Sequence, residues 1–331
     1  MKAKEEAIQA GREIAIGKGQ KILHILNTSL KNYGIFFAFF ITCVIMTTLT
    51  PVFITPRNIF NIIRQVSMIG IIAIGMTFVI LSAEIDLSVG SMVAFTGVIA
   101  AGLQVYNGCS TFIATLVPLL LATLLGIGMG VVITKTNVHS FVVTLGMLSI
   151  ARGLGLIYSG GYPISGLNPS FRFIGGGMIG PVPVPVIIYL GVIIVGYFIL
   201  SQTTFGKYVY AIGGNREAAR LSGIPVNFYR TIVFGICSFS AGIAGIILAS
   251  RVNSGQPTAG LGWELDVIAS VIIGGTSLFG GRGGIIGTVI GSLFLGVLRN
   301  GLNLLGVSPF YQQVFIGLLI IIAVILDKFR R

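Results

Sequence analysis

The chain has 331 residues, of which 54% are hydrophobic and only 9% are charged, and its mean hydropathy is +0.98. About a quarter of an ordinary soluble domain is charged, so this composition excludes a soluble protein and predicts an all-α polytopic membrane protein in contact with the lipid bilayer. Membrane proteins collect Lys and Arg in cytosolic loops. The net charge of +12 is therefore interpreted as topology, and no nucleic-acid partner is predicted.

Residues 1–32 combine Lys, Arg and Glu with scattered Ile and Leu, which predicts a cytosolic amphipathic tail on the membrane surface. The segment GREIAIGKG at 11–19 resembles a Walker A loop, but its spacing is one residue too long and Gly19 follows Lys18 where Ser or Thr is needed. We expect this chain to bind no cofactor, so ATP would have to be bound by another chain.

Residues 33–331 form a single predicted transmembrane permease domain. Windows near the 20 residues that cross a bilayer lie at 33–50, 66–83, 88–106, 112–133, 138–157, 184–202, 230–250, 264–280, 284–303 and 309–327. With a cytosolic N-terminus, most Lys and Arg fall inside, as the positive-inside rule requires. Both termini are therefore predicted to be cytosolic.

Two exterior connections carry further signals. Thr55 and Pro56 resemble a helix cap followed by proline at the first helical position, and the apolar stripe after them predicts a short interfacial helix. Residues 159–185 are rich in Gly and Pro. They fit either a contact surface for a soluble partner or a disordered connector.

The longest polar interruption after the tail is the predicted coupling loop 203–230. A helical piece at 207–212 should stop at Gly213 and Gly214, and Asn215 should cap a second piece at 216–222 that ends at Gly223. Such a helix could dock a partner. The alternative is a solvated loop whose charges only fix topology.

Acidic residues are rare enough to be informative. Asp86 could simply cap the third span at its N-terminus, or Glu84 and Asp86 could mark a break that faces a polar pathway. Glu264 and Asp266 repeat the pattern five spans later, on the opposite face. We therefore predict two inverted-repeat halves with the pathway between them.

Other sites are not indicated. Glycines at 283, 287 and 291, and at 126 and 130, predict close helix packing. His24 and His139 have no third ligand nearby, so no metal site is predicted. HExxH and GxSxG motifs are absent, and no catalytic residue is assigned.

Several blocks in order, among them FITPRNIFNIIRQ, EIDLSVGS, FVVTLGMLSIARGL, GGNREAARLSGI, ELDVIASVIIGGTSLFGGRGG and NGLNLLGV, resemble the permease subunits of bacterial ABC importers for monosaccharides, the ribose type in particular. The resemblance covers about residues 50–310. It implies a ten-helix permease of the bacterial inner membrane that works as a homodimer. A cytosolic ABC ATPase that binds ATP and Mg, and an extracytoplasmic sugar-binding protein, would be its partners.

The resemblance makes the central loop the ATPase-coupling segment, with Gly213, Gly214, Asn215, Arg216, Glu217, Ala218, Ala219, Arg220, Leu221 and Gly223. We expect the charged side chains to orient it and Ala218, Ala219 and Leu221 to insert into the ATPase. Charge and sidedness suggest Arg57, Arg64, Arg172 and Arg251 for docking of the binding protein.

Neutral cargo with hydroxyl groups would suit a pathway lined by Ser82, Glu84, Asp86, Ser88, Thr144, Ser277, Asn300 and Asn303. Interhelical hydrogen bonding is the alternative for each of them. The same importer type for galactose, xylose, a signalling sugar or branched-chain amino acids, and an ATP-independent carrier, remain open, as does whether the ATPase is one duplicated chain or two.

Overall fold

The computed structural model describes residues 34–329. Its helices are α1 (Gly34–Leu49), α2 (Pro56–Leu81), α3 (Val89–Val105), α4 (Thr111–Thr136), α5 (Ser140–Ser159), α6 (Pro169–Gly176), α7 (Val184–Gln202), α8 (Thr204–Gly214), α9 (Arg216–Leu221), α10 (Val226–Val252), α11 (Trp263–Ile273), α12 (Ile285–Leu304) and α13 (Pro309–Phe329). Four two-residue strands accompany them: β1 (Ile164–Ser165), β2 (Met178–Ile179), β3 (Val182–Pro183) and β4 (Ser254–Gly255).

The helices confirm an all-α polytopic membrane protein. Six of those described (α2, α4, α5, α7, α10 and α12) are long and apolar enough to cross a membrane. Shorter apolar helices correspond to the first, third and tenth predicted spans. Nine of the ten predicted windows therefore coincide with a continuous apolar helix.

The start of α2 differs from the prediction. Pro56 does occupy the first turn, but the side chain of Thr55 makes no cap and donates to the carbonyl of Val52 instead, at 2.7 Å. The helix then runs without interruption from Pro56 to Leu81. The residues predicted to form a separate interfacial helix are thus the first part of the second span, because α2 is continuous.

The eighth predicted span, 264–280, is wrong as a continuous helix. Only α11 is helical there, and its 11 residues extend about 16 Å. Before it, residues 253–262 run along α3: Gly255 packs against Ala101, and Gly260 lies backbone to backbone with Gly90. This crossing is therefore part turns and irregular chain and part helix.

The connection at 159–185 is ordered structure. Its strand β1 pairs antiparallel with β4, with Ile164 opposite Gly255. Ser250 on α10 fixes α6, because its hydroxyl donates to the carbonyl of Phe171 at 2.6 Å and accepts from the Gly175 amide at 2.7 Å. The segment therefore caps one end of the helix bundle.

The core is built around α10, which contacts α2, α3 and α4. Gly126 and Gly130 on α4 face the backbone of α10, and Gly287 and Gly291 on α12 face that of α11. A Cβ at any of these positions would overlap the neighbouring helix. The predicted stripe at 126 and 130 is thus confirmed as a close packing face, and so are positions 287 and 291. Gly283 is not part of the stripe, because it precedes α12 and lies against Thr276.

Candidate coupling site and transport route

The end structures of α9 follow the sequence pattern. Asn215 caps the helix, since its Oδ1 accepts from the Ala218 amide at 3.0 Å. At the other end Gly223 has φ +81°, and the Ile224 amide bonds to the carbonyl of Ala219 at 3.1 Å. The preceding helix, α8, is longer than predicted because it includes both glycines at 213 and 214.

The outer surface of α9 is small and partly apolar. Leu221 is 75% exposed, Ala218 is exposed beside it, and Arg220 forms an exposed ion pair with Glu217 at 2.6 Å. Ala219 requires a correction. It is only 4% exposed, in an apolar cluster under the helix, so it holds α9 to the bundle and cannot insert into a partner.

Glycines join the coupling segment to the membrane helices. Gly213 lies so close to the carbonyl of Leu81, the last residue of α2, that a Cβ would overlap it. The amide of Gly281 donates to the same carbonyl at 2.9 Å, and Gly280 packs on Gly213. We call Leu81, Gly213, Gly280 and Gly281 the glycine junction. Through it α8 touches both the α2–α3 break and the α11–α12 connection.

An ion cluster forms a second link. Glu84, in the break after α2, is 5% exposed, and its Oε1 lies 2.6 Å from Nη2 of Arg216 and 2.6 Å from Nη2 of Arg230. Arg216 is the first residue of α9, and Arg230 is buried in α10. Helix α9 is therefore bonded to the segment that precedes α3.

The start of α3 contains further predicted residues. Asp86 is fully buried and accepts from the Ser88 amide at 2.8 Å and the Ser88 hydroxyl at 2.6 Å, in the turn before α3. Ser88 occupies the N-cap position and its side chain makes no cap hydrogen bond, so Asp86 does not act as the cap of α3. Thr144 on α5 donates to the carbonyl of Ile85 at 3.4 Å. The hydroxyl of Ser82 bonds within its own helix end.

The remaining predicted pathway residues lie elsewhere and bond to other helices. Asn300 exchanges hydrogen bonds with Asn58 on α2, each at 2.9 Å. Asn303 accepts from Gln312 at 2.7 Å, and Ser277 donates to Asp327 on α13 at 2.9 Å. These contacts are those of the interhelical alternative.

The family of this chain is shown by its similarity to known proteins. Residues 58–324 match the family model described as the permease component of the branched-chain amino acid transport system. The chain belongs to this permease family.

Known relatives are similar to the permease over nearly its whole length. It is 44% identical to the ribose import permease protein of Bacillus subtilis, over 93% of this chain and 96% of the relative. It is 45% identical to that of Haemophilus influenzae (89% and 92%), and 41% identical to the D-allose transport system permease protein of Escherichia coli (89% and 91%). No solved structure is significantly similar to it.

The four arginines suggested for docking lie on α2, α6 and α10 of the permease. Arg57 and Arg172 are exposed. Arg64 and Arg251 are close enough for their charges to interact, and Nη2 of Arg64 lies 3.6 Å from the sulfur of Met178. No acidic residue forms an ion pair with any of the four among residues 34–329 of the permease.

Sequence reasoning missed several charged residues of the permease. Arg230 lies at the start of the seventh predicted window and is the more buried of the two partners of Glu84. Arg152 lies within the fifth predicted window, and its guanidinium donates to two backbone carbonyls. Arg299 lies within the ninth predicted window and pairs with Asp266. A charge inside an apolar window was the available signal.

Among the described residues, no group of His, Cys, Asp and Glu could hold a metal ion.

Proposed function

We propose that this permease is the membrane subunit of an ATP-driven importer that passes ribose from an external binding protein into the cytoplasm. The observation that carries the mechanism is the contact of Arg216 with Glu84, which joins a short exposed helix to the break before α3. The sugar is inferred from the relatives, since the ribose import permeases are 44 to 45% identical over most of the chain.

Energy would reach the membrane helices mechanically. A cytosolic ABC ATPase binds ATP and Mg and contacts Ala218 and Leu221, the exposed side chains of α9. Movement of α9 is passed to α2, α3 and the α11–α12 connection by the ion cluster and the glycine junction, because both are short, rigid contacts. Residues 203–230 are thus the coupling loop, and this chain itself binds no nucleotide.

The remaining assembly follows from the same proposal. Two copies of the permease form a homodimer in the bacterial inner membrane, with both termini in the cytosol. Arg57, Arg64, Arg172 and Arg251 attract carboxylates of the binding protein, since they carry positive charge that no described acidic residue neutralises by an ion pair.

Reconstitution tests the function. The permease is placed in liposomes with or without its ATPase and binding protein, and uptake of labelled ribose is measured with and without ATP. We expect uptake only when all components are present. Competition with D-allose, L-arabinose and leucine then identifies the preferred cargo. Uptake by the permease alone would overturn the proposal in favour of an ATP-independent carrier.

A further inference from the structure

Two helices of the described chain begin at the same place. The backbones of Gly90, in the first turn of α3, and Gly260, just before α11, are in contact, and the carboxylate of Glu264 in α11 lies over Gly90. The non-helical segment 253–262 of the eighth crossing ends here. An interruption of two helices at one point is the arrangement in which membrane transporters expose backbone polar groups to a cargo.

Arg152 places this point deep in the bundle. It is residue 13 of the 20 in α5, so it lies about 18 Å from one end of that helix and about 10 Å from the other. Its Nη1 donates to the carbonyls of Pro257 and Ala259, at 2.8 and 2.6 Å. Because α5 is about as long as the hydrocarbon is thick, residues 257–259 lie well inside the membrane.

Three polar side chains at this depth are at least partly exposed. Gln256 and Thr258 are exposed, and Glu264 is partly exposed. No hydrogen bond or ion pair of these three side chains occurs among residues 34–329, although the charge of Glu264 acts on Arg152. We call Gln256, Thr258 and Glu264 the polar junction. Hydrocarbon does not tolerate such groups, so the polar junction faces a polar space rather than lipid.

We propose that the polar junction is a weak sugar-contacting site within the transport route. This inference rests on the proposed function and assigns residues to it. The Glu264 carboxylate accepts a hydrogen bond from a sugar hydroxyl, the Gln256 amide both donates and accepts, and Thr258 can do either. These three side chains form no closed pocket, so they would bind a sugar weakly enough for it to be released.

Cysteine accessibility tests the site without the ATPase. Cys43, Cys109 and Cys237 are replaced by Ala in the full chain, and Thr258→Cys is introduced. Ile194→Cys is the control, because Ile194 lies near the middle of α7 and is 67% exposed. In liposomes, a membrane-impermeant thiol reagent should label position 258 but not 194, and a high concentration of ribose should slow the labelling at 258. No labelling at 258, or labelling that ribose does not slow, would overturn the proposal.

Uptake by the assembled importer provides a second measurement. Glu264→Gln keeps the size of the side chain and removes its charge, so ribose uptake should fall about tenfold, as expected for one hydrogen bond to a charged group. Ile194→Ala should transport at the wild-type rate, and both variants should still co-purify with the ATPase. Wild-type uptake by Glu264→Gln would overturn the proposal. If the wild-type assembly itself fails to import ribose, the proposed function fails, and labelling at 258 still reports on the polar space.

Discussion

The guanidinium of Arg230 and the carboxylate of Glu84 lie 2.6 Å apart, with 5% of each side chain exposed. A buried charge requires a partner, because burial removes the water that would otherwise stabilise it. Glu84 also holds Arg216 on α9. The Glu84 carboxylate therefore binds one arginine that is buried in the bundle and a second arginine that reaches the surface.

Removal of Glu84 should destabilise the permease. Glu84→Ala leaves Arg230 buried without its partner, and breaking such a pair costs about 3–5 kcal/mol. Thermal unfolding in detergent, followed by the loss of monodisperse protein, should show a clear drop in midpoint. Glu217→Ala is the matched control, since Glu217 pairs with Arg220 on the surface, where solvent screening leaves an ion pair little effect on stability. Equal midpoints for the two variants would contradict the buried role of Glu84.

Arg216 and Arg220 should differ in function although both lie on α9. Arg216→Ala cuts the bond to Glu84, so ATP-driven uptake should fall at least tenfold while the ATPase still hydrolyses ATP and co-purifies. Arg220→Ala removes only the exposed pair with Glu217 and should keep most of the uptake. If both variants lose uptake to the same extent, α9 acts through its surface charge and the link to Glu84 is unimportant.

The neighbouring glycines of α8 offer a second matched pair. Gly213→Ala would drive a methyl group into the carbonyl of Leu81, and overpacking of this kind costs about 1–3 kcal/mol. A Cβ at Gly214 meets nothing, and alanine favours a helix by up to about 1 kcal/mol over glycine. Unfolding midpoints should therefore fall for Gly213→Ala and stay level or rise for Gly214→Ala. The opposite order would mean that the glycine junction is not tightly packed.

Substitutions of Leu221 and Ala219 should have different effects, the first on binding of the ATPase and the second on stability. Leu221→Glu places a charge on an exposed apolar surface, so the permease should fold normally and lose the ATPase on co-purification. Ala219→Glu forces a carboxylate into the buried cluster under α9 and should lower the unfolding midpoint of the permease alone. Normal ATPase association of Leu221→Glu would argue against α9 as the contact surface.

The pH response of the exposed pair can be predicted in sign. The hydrogen bond from Arg220 lowers the pKa of Glu217, and the positive charge of Arg220 adds to this effect. Its folded pKa is therefore below the unfolded value, so the small stabilisation is present above the unfolded pKa and is lost as pH falls through the folded pKa. Unfolding midpoints of wild type and Glu217→Gln should converge in acid. A difference that grows in acid would contradict the assignment.

Sequence patterns located the helices because length and apolar content decide what crosses a membrane. They also located α9, since Asn215 and Gly223 act locally at its ends. Ala219 was placed on the wrong face because a six-residue helix has too little periodicity to show which side is buried. Partners distant along the chain, such as Glu84 with Arg230, depend on how helices pack and leave no local pattern.

The inverted repeat and the domain limits stay predictions. The two acidic doublets are not equivalent in detail, since Glu84 precedes α3 by five residues whereas Glu264 lies in the first turn of α11. The break in the eighth crossing was hidden because Gly274 and Gly275 continue an apolar window. Hydropathy measures composition and does not register where a helix ends.

The interrupted eighth crossing has a consequence for biogenesis. An 11-residue helix is too short to be inserted as an independent span. We expect residues 253–273 to enter the bilayer only after α10 and α12 are in place, as a late step of assembly. Chains truncated after residue 273 should leave this segment exposed to protease, whereas chains that include α12 should protect it.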